Sequence, residues 1–127
     1  MDVTPLVRNG QQIIQSYNGG SFKVSGQAYE HAIVVSPDET HEWDVGGARD
    51  INGLTEGHFS QFIENSNDID VLLLGTGATI EFLPLELRKS LKKQGVMIEM
   101  MDTGAACRTY NVLMAEGRRV VCALLPA

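Results

Sequence analysis

Hydrophobic and polar positions divide this chain into two differently patterned halves. In the first, short apolar stretches alternate with turn-forming residues. Residues 11–16 and 22–24 flank Tyr17-Asn18-Gly19-Gly20-Ser21, whose asparagine and glycines tolerate positive φ, so a β-hairpin is predicted. Residues 28–35 contain the β-branched run Ile33-Val34-Val35 and stop at Ser36-Pro37-Asp38, a strand followed by a turn. Residues 41–45 predict another short strand, closed by Gly46-Gly47. Phe59, Phe62 and Ile63 share one face of a predicted helix over 55–65.

The second half reads more plainly. Residues 71–74 are Val-Leu-Leu-Leu with no alternation, the pattern of a strand covered on both faces. Pro84 opens a helix where its missing N–H costs nothing, and Gly95 closes it. Leu83, Leu87 and Leu91 form its buried stripe. A strand over 96–100 follows, then a helix capped by Asp102 or Thr103 that reaches Glu116 and stops at Gly117. Residues 119–125 form the last strand. Strand, helix, strand, helix, strand predicts an α/β sheet with strands 71–74, 96–100 and 120–124 adjoining and buried, while the hairpin adds antiparallel character.

A length of 127 residues suits one domain spanning 1–127, with residues 1–10 expected to fray. With 43% hydrophobic and 20% charged residues the chain is not of the disordered class. No apolar run approaches the about 20 residues of a membrane helix. Residues 1–9 are mixed and polar, unlike a secretory signal, so a soluble cytoplasmic protein with Cys107 and Cys122 reduced is expected.

A net charge of −6 speaks against general nucleic-acid binding. The charge is unevenly placed: residues 1–87 hold 13 acids and 3 bases, residues 88–127 hold 3 acids and 7 bases. Arg88, Lys89, Lys92 and Lys93 fall within six residues, either complementing the helix dipole or forming a docking patch for an acidic partner.

Two segments carry candidate chemistry. Gly75-Thr76-Gly77 follows a buried strand, where open α/β sheets place ligands, although neither a dinucleotide fingerprint nor a nucleotidase loop is present. Asp102-Thr103-Gly104-Ala105-Ala106-Cys107-Arg108-Thr109-Tyr110-Asn111 starts a helix whose positive end favours anions, with Arg108 as a charge partner. If these segments bind, the site lies between them. The structural alternative has Ala105 and Ala106 packing closely, Cys107 buried, and Arg108 and Asn111 tying the helix to loops. His31, His41 and His58 lack metal-ligand spacing, and no nucleophile–base arrangement or metal set is evident.

Four segments in order then resemble a known family: Asp70-Val71-Leu72-Leu73-Leu74-Gly75-Thr76-Gly77; Gly95-Val96-Met97-Ile98-Glu99-Met100-Met101-Asp102-Thr103; Ala105-Ala106-Cys107-Arg108-Thr109-Tyr110-Asn111-Val112-Leu113; and Glu116-Gly117-Arg118 before an apolar strand. With Ile33-Val34-Val35-Ser36-Pro37 the resemblance covers about residues 11–126. The chain is similar to a formerly uncharacterised family that includes mitochondrial complex I assembly factor 3 and many bacterial proteins of unknown function. Asp102, Thr103, Cys107, Thr109 and Asn111 match the mitochondrial branch, whereas Arg108 and Tyr110 depart from it. No mitochondrial leader is visible, so a bacterial member is expected.

The resemblance implies a three-layer α/β fold with a mixed central sheet, flanking helices and extra β-structure, and makes the last strand a candidate for antiparallel placement. It also implies action without chemistry, assisting assembly of a membrane respiratory complex. Two readings follow. The first is a non-catalytic interaction or assembly protein, with no cofactor and no membrane insertion, docking a protein such as a complex subunit or assembly factor through a surface groove and the basic helix end of Arg88, Lys89, Lys92 and Lys93. The alternative is a small-molecule or anion-binding protein, or an enzyme, using Gly75, Thr76, Gly77, Asp102, Thr103, Arg108 and Asn111. The absence of a catalytic set in the sequence favours the first.

Overall fold

The computed structural model describes residues 10–46, 48 and 50–127. Apart from Gly10, the segment expected to fray lies outside the described residues, as does Gly47. Strands β1 (Ile14–Asn18), β2 (Ser21–Val24) and β3 (Gln27–Tyr29) make a three-stranded antiparallel sheet. Strands β4 (Ile33–Val35), β5 (Thr40–Glu42), β6 (Val71–Gly75), β7 (Ile98–Met101) and β8 (Val120–Leu124) make a five-stranded sheet in the order β5-β4-β8-β6-β7. Three α-helices accompany them: α1 (Ser60–Glu64), α2 (Leu85–Lys93) and α3 (Thr103–Ala115).

The large sheet is the middle of three layers. Because side chains alternate across a strand, the unbroken leucine run of β6 serves two cores at once. Leu72 and Leu74 pack with Phe59, Phe62, Leu83 and Leu91 on one face. Leu73 packs on the other with Ile14, Phe22, Ala106, Cys107 and Tyr110. Strand β8 divides likewise, Ala123 facing the first core and Cys122 and Leu124 the second. The mixed three-layer α/β architecture with its extra hairpin sheet is therefore present.

Strands β6, β7 and β8 adjoin as predicted, with β6 central and parallel to both neighbours. Strand β7 departs from the expected burial because it is the sheet edge: Glu99 is exposed and its other residues are half-buried. The expected antiparallel placement of the last strand holds on one side only. Strand β8 is antiparallel to β4 but parallel to β6, since α3 crosses over between β7 and β8 in a βαβ arrangement.

Two predicted elements divide. Residues 28–35 split into β3 and β4, which belong to different sheets. The cause lies upstream: Ser25 and Gly26 both adopt positive φ, and this tight turn pairs β3 with β2 before the chain crosses to the large sheet. The helix expected over 55–65 is a 3-10 turn at Glu56–Phe59 followed by the short α1. Phe59 and Phe62 still reach the core, where their rings meet Trp43 edge-on at 5.8 and 6.1 Å.

Helix ends follow the glycines. Gly95, at φ 88°, donates its N–H to the Lys92 carbonyl while Val96 donates to that of Leu91. Gly117, at φ 80°, donates to Met114 while Arg118 donates to Leu113. Both are Schellman ends, and Leu91 and Val96 supply the buried apolar contact that accompanies the first.

Candidate functional site

Gly75-Thr76-Gly77 and the start of α3 do meet, because β6 and β7 run parallel and end together. What joins them is an internal hydrogen-bond network. Thr76 N–H donates to the Met101 carbonyl (2.9 Å), Gly77 N–H to Thr103 Oγ1 (2.9 Å), and Thr103 N–H back to the Gly77 carbonyl (2.8 Å). The Thr103 hydroxyl, fully buried, donates to the Leu125 carbonyl at 2.7 Å. Asp102 caps α3 by accepting from Ala105 N–H at 2.9 Å. The N–H groups of Thr76, Gly77, Thr103 and Ala105 are thus already donated within the chain.

The remaining side chains of this cluster turn toward the small sheet. Asn111 brackets Ile14, its Oδ1 accepting from Ile14 N–H at 2.9 Å and its Nδ2 donating to the Ile14 carbonyl at 2.8 Å. Arg108 Nη1 donates to the Tyr17 hydroxyl at 2.6 Å. Gly104 gives that tyrosine room, since a Cβ there would stand 2.7 Å from its hydroxyl. Tyr110 donates from its hydroxyl to the Gln12 carbonyl at 2.9 Å. Tyr17 and Gln12 were not legible as partners in the sequence; only their distance-independent chemistry, a hydroxyl and an amide backbone, was available there.

Cys107 and Cys122 are free thiols buried between α3 and β8. Burial pushes the Cys107 thiol up to about 12, against the opposing pull of the Arg108 guanidinium. Burial likewise raises Cys122 and the Tyr110 phenol. None of the three is poised as a nucleophile at neutral pH.

The second predicted cluster stands on α2. Lys89 lies 3.9 Å from Glu86, and both are well exposed. Lys92 and Lys93 are exposed and form no ion pair among the described residues. Arg88 is half-buried: its Nε donates to the Leu83 carbonyl at 3.0 Å and its guanidinium stands 5.9 Å from the Phe82 ring centroid. The helix is anchored on its other side through Glu56, which accepts from the Ser90 hydroxyl and from Gln94 Nε2.

Beside this basic row lie three exposed apolar side chains: Ile80, Phe82 and Leu85, each more than half accessible. Ile80 and Phe82 lie in the segment between β6 and α2, and Leu85 is the first residue of the helix. For Leu85 a helical projection of α2 carries the signal, since it falls opposite the Leu87/Leu91 stripe and on the face of Arg88, Lys89 and Lys92.

Two surface clefts are lined elsewhere. One, of about 490 Å³, includes Asp38 in the turn between β4 and β5, Asp68 before β6, and Arg118 and Arg119 before β8. The other, of about 650 Å³, includes Glu30, His31, Glu42 and Asp44. Among the described residues no group of three or more His, Cys, Asp or Glu side chains is placed to hold a metal ion. No helix among them is long and apolar enough to cross a membrane.

Known proteins are similar to this chain in sequence and in fold. The chain is 37% identical over 114 residues, 90% of its length, to NADH dehydrogenase [ubiquinone] 1 alpha subcomplex assembly factor 3 of Danio rerio, and covers 64% of that relative. It is 35% identical over 117 residues to an uncharacterized protein of Rhodobacter capsulatus, covering 83% of it. A crystal structure of a Bordetella parapertussis protein superposes with a TM-score of 0.80 at 37% identity, covering 94% of this chain and 98% of that one. A solution structure from Bordetella pertussis, described as an Mth938-like domain, gives 0.79 at 30% identity, with coverages of 99% and 92%. The family model described as a protein of unknown function (DUF498/DUF598) matches residues 14–125 and so takes in both cores and all eight strands described here, and to that family the chain belongs.

Proposed function

We propose that this protein is a non-catalytic assembly factor that binds a protein partner during construction of a membrane respiratory complex. The observation that carries the reading is the 37% identity to a complex I assembly factor along 90% of the chain. The geometry supports it in one respect. Of the polar residues most suggestive of chemistry, Asp102 caps α3, while Thr103, Arg108 and Asn111 join that helix to the glycine turn and to β1. The surface assigned to the partner is that of Arg88, Lys89, Lys92 and Lys93, and the two free thiols fit action in a reducing, cytoplasmic compartment.

The test is deletion of the gene in its own cells, with complex I resolved on native gels and the tagged protein used for capture. Assembled complex falls, subcomplexes accumulate, and the tagged protein retains a complex subunit or a second assembly factor. Unchanged complex levels together with no retained protein overturn the proposal. Retention of a small molecule, lost on Thr103→Val in protein that stays folded, would instead favour the anion-binding reading at Gly75, Thr76, Gly77 and the α3 start.

A further inference from the structure

The exposed face of α2 and the segment leading into it combine two properties. Along the helix, Leu85, Arg88, Lys89 and Lys92 stand at i, i+3, i+4 and i+7, one stripe turned away from the core. At its N-terminal end Ile80 and Phe82 add to Leu85, all three exposed. The stripe therefore runs from an apolar end to a basic end. Its geometry is fixed rather than incidental. Leu83 and Leu91 are buried beneath it, Ser90 and Gln94 are tied to Glu56, and Arg88 is held over Phe82 while donating to the Leu83 carbonyl.

From this we infer that the Ile80–Lys92 face is the docking surface for an acidic segment of another protein, one that seats an apolar side chain against Ile80, Phe82 and Leu85 and lays carboxylates along Arg88, Lys89 and Lys92. The inference rests on the proposed interaction role and specifies its surface and the partner's chemistry. Charge complementarity decides the occupant. Lys92 has no ion pair among the described residues, and Lys89 has only the exposed Glu86 at 3.9 Å, so carboxylates from outside meet cations with little to displace. A second copy of the chain is disfavoured, since a two-fold contact through this face would set the basic row against itself. An anionic bilayer is disfavoured too. Inserting Ile80 and Phe82 into it would carry the Glu81 carboxylate between them into the headgroup layer, a desolvation that a single peptide segment lying along the row does not impose.

The experiment places a photocross-linking benzoylphenylalanine at Phe82, an exposed position, in the full chain expressed in its own cells. A control carries the probe at Gln27, exposed on the small sheet. The cross-linked peptide is identified by mass spectrometry, and the yield is compared with that of Lys89→Glu/Lys92→Glu, two exposed changes whose folding is checked by circular dichroism. The expected product is a segment of a different protein, net acidic and containing at least one large apolar residue, with yield reduced about tenfold by the charge reversal. Several results overturn the inference: a product with a second copy, a segment that is not acidic, a yield indifferent to charge reversal, or none above the Gln27 control. Cosedimentation of the wild type with phosphatidylglycerol vesicles, lost in the reversed variant, would assign the face to lipid and overturn it as well. If the tagged wild type retains a partner while the Phe82 probe gives no product, this surface fails and the proposed function stands. If it retains none and complex I levels are unchanged in the deletion strain, the function fails too.

Discussion

Thr103 shows how one side chain can look like ligand chemistry and act as a joint. Its hydroxyl is fully buried, accepts from Gly77 N–H and donates to the Leu125 carbonyl, so three segments of the chain meet on a single oxygen. Gly75 belongs to the same joint: a Cβ there would lie 2.8 Å from Leu124 Cδ2 and 3.1 Å from Thr103 Cα. Thr103→Val keeps the shape and removes both hydrogen bonds, leaving a buried donor and a buried acceptor without partners. Each orphaned group costs about 1–3 kcal/mol. Urea unfolding of the variant is expected to show that loss, and unchanged stability would mean that the hydroxyl serves something other than the fold. The sequence placed Thr103 and Gly77 near one another from strand polarity alone. It could not show that their donors face each other, because the rotation of α3 about its axis is set by packing on β6 and β8. The same rotation sends Arg108 and Asn111 to Tyr17 and Ile14, more than ninety positions away.

Elements whose boundaries are written in local chemistry were the legible ones. Strand β6 has its apolar run, and α2 and α3 have a proline or aspartate start and a glycine stop. Elements set by pairing were not, as β3 and β4 show: no local signal says that Tyr29 belongs to one sheet and Ile33 to another. Strands β6 and β8 are further aligned, at the residues just before each, by a pair that their sequence separation conceals. Asp70 accepts from Arg119 through the backbone N–H at 3.0 Å and through Nη2 at 2.8 Å, while its own N–H donates to the Arg119 carbonyl at 2.8 Å. The Arg119 side-chain hydrogen bonds hold the Asp70 carboxyl below its ordinary value. A carboxyl with a lowered folded-state value stabilises the fold fully above its unfolded value of about 3.9 and loses that contribution as pH falls through the folded value. Wild type is therefore expected to exceed Asp70→Asn in stability at neutral pH, with the difference shrinking progressively below about pH 4. A difference that stays constant from neutral to strongly acidic pH would show that the charged pair contributes nothing.

At the scale of the whole molecule the question is whether the small sheet is an appendage or part of one cooperative unit. Its inward residues Ile14, Phe22 and Val24 belong to the same core as Leu73, Ala106, Tyr110 and Leu124, so the outer layer on that side is built jointly by α3 and the hairpin sheet. Asn111 and Arg108 reinforce the union from α3, and Tyr110 from the same helix reaches Gln12. The first core, around Trp43 and Phe59, lies across the large sheet, yet it is covalently and sterically continuous with this one through β6 and β8, which supply side chains to both. Damage to one layer is therefore transmitted to the other, and the face carrying Phe82 and Lys92 is held by the stability of the entire chain. Phe22 tests this because it lies in the small sheet, 1% exposed, remote from α2. Phe22→Ala removes a buried ring and costs about 3–5 kcal/mol. If the layers are one unit, fluorescence of Trp43, in the opposite core, and amide exchange at Ile14–Asn18 lose stability by the same amount, and unfolding remains a single transition. Loss of protection in β1–β3 with the Trp43 transition unmoved would divide the fold into a core and a detachable sheet, and the docking face would then be independent of it.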